Sequence, residues 1–312
     1  MHNNKIPPIV AVGTVAYDTV ESPFGKAEHV LGGSGMYFAA AASILSPVNL
    51  VAVVGEDFSQ ESRDEMKNPN LDLGGMATHP GKTFSWGGTY RNDINIRDTD
   101  FTELGVIENW VPEVPEAYRA CKTVCLANID PPAQLEVLKA IEDPGLVVLD
   151  TMNLWIDVAR DSLLEVIGLT DVLILNDEEA RQLTGELNLP TAIEKIQDLG
   201  PSIVVVKKGE HGAMLAQQGE DGNEIFSLPG LPLKTVCDPT GAGDCFAGGF
   251  VGYIQRSGIS NCRSNDTLRT AVAYGSATAS FCCEDFSARR LRGLTIDDLE
   301  QCVDSFRRLV DF

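Results

Sequence analysis

The stretch Cys237-Asp238-Pro239-Thr240-Gly241-Ala242-Gly243-Asp244-Cys245-Phe246-Ala247-Gly248-Gly249-Phe250 decides how the chain is read. Two glycines and an alanine stand just before a helical run, so backbone N–H groups can converge at a helix N-terminus whose dipole attracts an anion. A transferring phosphoryl group fits such a turn. Asp244 falls in the first helical turn beside this anion hole, where a carboxylate can take the proton of an attacking hydroxyl. The same residues also describe a glycine-rich helix cap with Asp244 complementing the dipole, and spacing alone leaves both readings open.

Upstream, short runs rich in Val, Ile and Leu recur: Ile9 to Val15, Leu50 to Val54, Thr123 to Ala127, Leu146 to Leu149, Val172 to Leu175 and Ile203 to Val206. Such runs have the composition of parallel strands buried on both faces. Helical patterns fall between them, at about Gly35 to Leu45, Pro132 to Ile141, Leu154 to Ile167 and Thr191 to Leu199. The alternation predicts a doubly wound, mostly parallel α/β sheet flanked by helices. Beyond Val206, the segments Gly212 to Gln217 and Glu224 to Leu228 are expected as hairpin strands, and the chain from Gly241 onward as largely helical. Thr83 to Tyr90 and Asn95 to Thr99 break the alternation with a period of two around a glycine-bearing break, the pattern of a hairpin with one wet face. Asp18 to Val30 is expected to add strands to the same small sheet. The whole is read as one domain over 1–312, with a small β lid built within 14–30 and 83–100.

Composition narrows the function. The 312 residues are 44% hydrophobic and carry a formal charge of −21, with a pI near 4.5. That field repels phosphate backbones and anionic lipid, so nucleic acid and membrane surfaces are not expected as partners. No run of about 18 apolar residues exists to span a bilayer. Met1-His2-Asn3-Asn4-Lys5 leads into a strand-like run without the apolar region of a signal peptide, so a cytoplasmic location is expected. Eight scattered cysteines are expected as reduced thiols, and four unpaired histidines with no CxxC argue against a zinc site.

Several motifs fail by a residue. Gly81-Lys82-Thr83 lacks the glycine at 76 that a P-loop requires, since Met76 stands there. Gly33-Ser34-Gly35 lacks the glycine at 36 of a nucleophile elbow, and Phe38 replaces the last glycine of a dinucleotide fingerprint.

Asp238-Pro239-Thr240-Gly241-Ala242-Gly243-Asp244 resembles the C-terminal signature of the ribokinase-like (PfkB) carbohydrate kinases. Gly32-Gly33-Ser34-Gly35, followed by an alanine-rich helix and Val51 to Phe58, resembles their N-terminal signature. Two ordered signatures are far more specific than one, and the resemblance extends over essentially the whole chain. It implies an ATP-dependent kinase that phosphorylates a hydroxyl of a sugar or related small polyol, with a nucleoside as the alternative acceptor. It implies ATP and Mg2+ as cofactors, Asp244 as catalytic base, and Gly241, Ala242 and Gly243 as the anion hole.

The resemblance extends to further residues. Asn176-Asp177-Glu178-Glu179 resembles the family's NxxE motif, which sets Asn176 and Glu179 near the magnesium, with a solvated acidic helix start as the alternative. Lys207, Gly209 and Thr240 are the implied nucleotide contacts, although a lysine-rich turn accounts for 207 to 209 equally well. On the acceptor side, Asp18 stands where the family has an acidic residue for acceptor hydroxyls, and Gly32 and Gly33 allow close backbone approach. Asn128 and Asn153 follow predicted strands on the ligand side, where ordinary turn chemistry also favours asparagine. The family's usual asparagine after the double glycine is replaced by the Met36-Tyr37-Phe38 neighbourhood, which points to a bulkier or less polar acceptor. Arg91 and Trp86 are candidates to close over the substrate, with hairpin packing as the alternative. Pairing with a second copy through the lid is a further expectation. The rival from another class is a sugar- or nucleotide-binding sensor on the same fold without catalysis.

Overall fold

A computed structural model describes residues 6–91, 93–220 and 222–311. The chain opens with β1 (Ile9–Val12), β2 (Ala16–Ser22), β3 (Gly25–Gly32), α1 (Ser34–Ala42), β4 (Val48–Gly55), α2 (Gln60–Glu65) and β5 (Leu71–His79). It continues through β6 (Ser85–Tyr90), β7 (Arg97–Glu103), β8 (Thr123–Leu126), α3 (Pro131–Ala140), β9 (Leu146–Asp150), α4 (Asn153–Val158) and α5 (Arg160–Ile167). Then come β10 (Val172–Asn176), α6 (Asp177–Thr184), α7 (Leu189–Gln197), β11 (Ile203–Lys207), β12 (Ala213–Gly219) and β13 (Gly222–Leu228). Three helices finish the chain: α8 (Ala242–Ser257), α9 (Asn265–Cys282) and α10 (Ile296–Val310).

The main sheet has nine strands in the order β13-β12-β11-β10-β9-β8-β1-β4-β5. Pairing is parallel from β11 to β5, and the β12–β13 hairpin joins antiparallel at one edge. Alternate residues of each strand enter two separate cores. Ile9, Leu50, Val148 and Ile174 pack beneath α1, α8, α9 and α10, whereas Val10, Val51, Leu149 and Leu173 pack beneath α3, α5, α6 and α7. Two wet-excluded faces explain why these strands read as unbroken apolar runs. Gly248 and Gly249 weaken helix propensity in α8. Their compensation is close packing, since a methyl group on them would meet the Phe38 carbonyl oxygen of α1 at 2.5 Å and Thr278 Oγ1 of α9 at 2.3 Å.

A second sheet of four strands, in the order β3-β2-β6-β7, is separate from the main one, and its strand β2 begins just beyond the C-terminal end of β1. Its strands come from two stretches of the chain, β2 and β3 within 16–32 and β6 and β7 within 85–103.

Two expectations are corrected. The single helix expected over Leu154 to Ile167 is divided at Ala159, whose φ of −135° and ψ of 31° leave the helical region. The break lets α5 aim Leu163, Val166 and Ile167 at the core while Val158 stays outside. The edge strand β5 was not anticipated. No helix among the described residues is long and apolar enough to cross a membrane.

Candidate active site

Gly241 caps α8 in the left-handed region, with φ of 76°. Its α-carbon lies flat against the Tyr37 ring, where a methyl group would sit 2.4 Å from three ring atoms. The turn therefore needs glycine for two independent reasons. Helix α8 starts at Ala242, and Asp244 lies in its first turn. Burial first, and then the charge of Asp150, push the Asp244 pKa up to about 7, against the opposing pull of Lys207. A carboxylate with that pKa is matched to proton abstraction near neutral pH.

Three neighbouring strands deliver polar residues from their C-terminal ends, where open α/β sheets bind ligands. Asp150 ends β9, Asn176 ends β10 and Lys207 ends β11, with Asn176 and Lys207 opposite one another in register. Lys207 Nζ donates to both carboxylate oxygens of Asp150, at 3.0 and 3.2 Å. The same Nζ lies 3.1 Å from where a Gly243 side chain would start. Burial works against the lysine charge, but the carboxylates of Asp150, Glu179 and Asp244 outweigh it and hold its pKa above the ordinary value.

Asn176 and Glu179 form a capping box. Asn176 Oδ1 accepts from the Glu179 N–H, and Glu179 Oε2 accepts from the Asn176 N–H, both at 2.7 Å. The acidic helix start noted in the sequence is thus real. The arrangement leaves Oε1 of a buried carboxylate without a protein donor among the described residues, and burial raises the Glu179 pKa to about 7. No cluster of three or more His, Cys, Asp or Glu among the described residues is arranged to hold a metal alone. Hard oxygen donors this few suit Mg2+ that arrives with nucleotide phosphates and keeps its waters.

On the facing side, the Asp18 carboxylate covers Gly32 so closely that a methyl group there would meet Oδ2 at 1.9 Å. Burial, followed by the charges of Asp238 and Asp244, lifts the Asp18 pKa to about 8, while the Gly33 N–H and Arg97 pull the other way. Asp18 and Trp86 are register partners in β2 and β6, so both point to the same face of the small sheet. The Arg97 guanidinium stacks 4.9 Å from the Trp86 ring centre. Arg91, the sequence candidate, instead pairs with Asp98 at 3.0 Å on the exposed hairpin. Hydrogen bonds that tie the small sheet and its hairpin to the main domain include Tyr90 Oη with Thr240 Oγ1 at 3.1 Å, Asn95 Nδ2 with Glu210 Oε1 at 3.2 Å, and Ser22 Oγ to the Cys237 carbonyl at 2.7 Å.

The remaining sequence candidates are engaged elsewhere. Asn128 Oδ1 accepts from the Trp155 indole at 2.8 Å, and its backbone carbonyl accepts from Ser34 Oγ at 2.6 Å. Asn153 Nδ2 donates to Gln182 Oε1 at 2.6 Å. Thr240 is bound to Tyr90, and Gly209, with φ of 54°, lies exposed against Asn95. Asp150 and Arg97 were missed. An acid ending the apolar run Leu146-Val147-Val148-Leu149 was a visible signal for Asp150; nothing in the sequence singled out Arg97 from its polar hairpin.

With this geometry in hand, the chain matches the pfkB family carbohydrate kinases over residues 9–292. The chain belongs to that family. It is 30% identical over 262 residues to the cytidine kinase of Thermococcus kodakarensis, covering 81% of this chain and 91% of the relative. Its fold superposes on the nucleoside kinase of Methanocaldococcus jannaschii with a TM-score of 0.74 at 22% identity, covering 96% of this chain and 99% of the other. A ribokinase II of E. coli solved with ATP and Mg2+ superposes with a TM-score of 0.73 at 19% identity, over the same shares of the two chains. As a PfkB kinase, the protein is an ATP-dependent phosphotransferase with the ribokinase fold, and it uses ATP with Mg2+.

Proposed function

We propose that the protein transfers the terminal phosphoryl group of ATP to a hydroxyl of a sugar or small polyol, bound between Asp18 and the Gly241–Gly243 turn. The carrying observation is that Asp244, with a pKa near 7, stands in the first turn of α8 beside that turn while Asp18 covers Gly32 opposite it. In this reading the acceptor oxygen attacks the γ-phosphorus, the bond to the β-phosphate oxygen breaks, and the acceptor proton passes to Asp244. The amides of Ala242 and Gly243 meet the charge that develops on the transferring group. Glu179 and Asn176 would hold Mg2+ that arrives with the nucleotide, and the ion would supply charge neutralisation on the phosphates.

A second reading has a nucleoside as acceptor. Its support is Trp86, half-buried on the same sheet face as Asp18 and carrying Arg97, a flat surface suited to a base. The relatives named cytidine kinase and nucleoside kinase agree with it. Incubation with ATP, Mg2+ and a pooled panel of sugars and nucleosides, read by mass spectrometry of phosphorylated products, decides between the acceptors. Tight ligand binding without any ATP consumption overturns the kinase reading in favour of a sensor.

The proposal extends to a homodimer through the small sheet, supported by the outer edge strand β7, exposed over all its residues. Light scattering tests it. A cytoplasmic location is proposed on the eight free cysteines.

A further inference from the structure

The contact between Asp150 and Lys207 is the most enclosed ion pair among the described residues, its side chains 4% and 16% exposed. Replacing such a pair by apolar residues commonly leaves stability unchanged or raises it, so stability alone does not explain its presence. Its position is also unfavourable in one respect. Lys207 Nζ lies beside Gly243, in the first turn of α8, and the positive end of a helix dipole repels a cation. A lysine stands where the dipole would seat an anion.

The surroundings show how it is kept there. Asp150 Oδ1 accepts from the Thr151 N–H at 2.9 Å, and the Asp150 carbonyl accepts from buried Gln134 Nε2 at 3.2 Å, so the carboxylate is fixed. An ammonium carries three N–H donors. Two reach Asp150, and the third has no protein partner among the described residues. A helix N-terminus and an unshared ammonium donor thus converge on one point, which is complete once an anionic oxygen enters it.

We propose that Lys207 is a catalytic residue that donates to the terminal phosphate of ATP, and that Asp150 is the positioning residue that holds its ammonium beside the α8 turn. The inference rests on the kinase reading and sharpens it. During transfer the bond from the γ-phosphorus to the β-phosphate oxygen breaks and the bond to the acceptor oxygen forms, while Lys207 keeps its protons and follows the charge.

Binding of ADP and of the non-hydrolysable β,γ-imido analogue of ATP, each with Mg2+, is measured by calorimetry on the full chain. Because Lys207 touches only the terminal phosphate, Lys207→Met should weaken the triphosphate analogue at least about tenfold and leave ADP within about twofold. Its kcat should fall roughly 100- to 1,000-fold, and Lys207→Arg should restore most of the preference for triphosphate. Asp150→Asn should lower kcat about 10- to 100-fold through loss of alignment, with triphosphate affinity within about threefold of the parent. The double variant Asp150→Asn/Lys207→Met should be no slower than Lys207→Met alone, since Asp150 acts through the lysine.

Equal weakening of both nucleotides by Lys207→Met, or multiplying losses in the double variant, overturns the proposal. Should Lys207→Met fail to fold around an unpaired Asp150, the double variant decides, and an unchanged preference for triphosphate there overturns it as well. The affinity ratio needs no turnover, so its failure is distinct from a failure of the parent protein to phosphorylate anything.

Discussion

The Asp18 carboxylate and the α-carbon of Gly32 are in such close contact that a side chain at 32 would fall within 1.9 Å of Oδ2. Two adjacent strands of the small sheet, β2 and β3, thereby fix one carboxyl group against bare backbone, where burial lifts its pKa to about 8.

Gly32→Ala must push Asp18 aside. With the acceptor carboxylate displaced by an ångström or so, kcat/KM for the acceptor should drop about 100-fold. Nucleotide affinity, governed by the opposite side of the cleft, should stay within about twofold; steady-state kinetics with each substrate varied checks both.

Asp244→Asn keeps the shape of the turn and removes the proton acceptor. Turnover should fall by about 100- to 10,000-fold with nucleotide binding retained. Because the Asp244 pKa is about 7 and the base must be ionised, kcat/KM in the parent protein should climb as pH rises through 7 and then level off. A flat profile from pH 5.5 to 8.5 removes the base assignment.

Stability should run the other way. Asp18, Glu179 and Asp244 have pKa values raised to about 8, 7 and 7, so between the ordinary carboxylate range and these values the folded protein holds protons that the unfolded chain has released. Their contribution is complete below the unfolded pKa and is lost as pH rises to 7 and then 8, with a slope of up to about 1.4 kcal/mol per pH unit for each group. Without nucleotide, the Tm should be lower at pH 9 than at pH 6, and Asp18→Asn should narrow that gap. An unchanged gap in Asp18→Asn contradicts the raised pKa of this residue.

Tyr90→Phe removes the hydroxyl contact to Thr240 while keeping the ring in its cluster with Val20, Ala27 and Phe286. The loss of one neutral hydrogen bond is worth about 1 kcal/mol. The acceptor KM should therefore rise severalfold with little change in Tm, as thermal melts and acceptor titrations will report.

Much of this was legible in the sequence because it follows from burial on two faces or from glycine where a backbone must turn. The six apolar runs became strands of the main sheet, and Gly241 to Asp244 became the start of α8. Strand β5 escaped notice because Gly74 and Gly75 interrupt its pattern and one of its faces is wet. The break at Ala159 has no glycine or proline to announce it. Arg97 rather than Arg91 meets Trp86 because a register shift between Gly87 and Gly88 sets which hairpin residues face inward, and such a shift has no single-residue signature. Asn128 and Asn153 follow their strands as expected, yet their amides serve Trp155 and Gln182; which neighbour claims an amide is a matter of tertiary packing.

Asp18 belongs to β2, and β2 is a strand of the small sheet and not of the main one. The group proposed to recognise the acceptor is therefore mounted on the same piece of structure that Tyr90 and Asn95 join to Thr240 and Glu210. If Asp18 binds the acceptor as proposed, docking of the acceptor and fastening of that sheet are thermodynamically linked, and each strengthens the other by the same factor. A molecule too large to let Tyr90 reach Thr240 would then forfeit that linkage even with every one of its hydroxyls satisfied, and size would become a criterion of selection alongside hydrogen bonding.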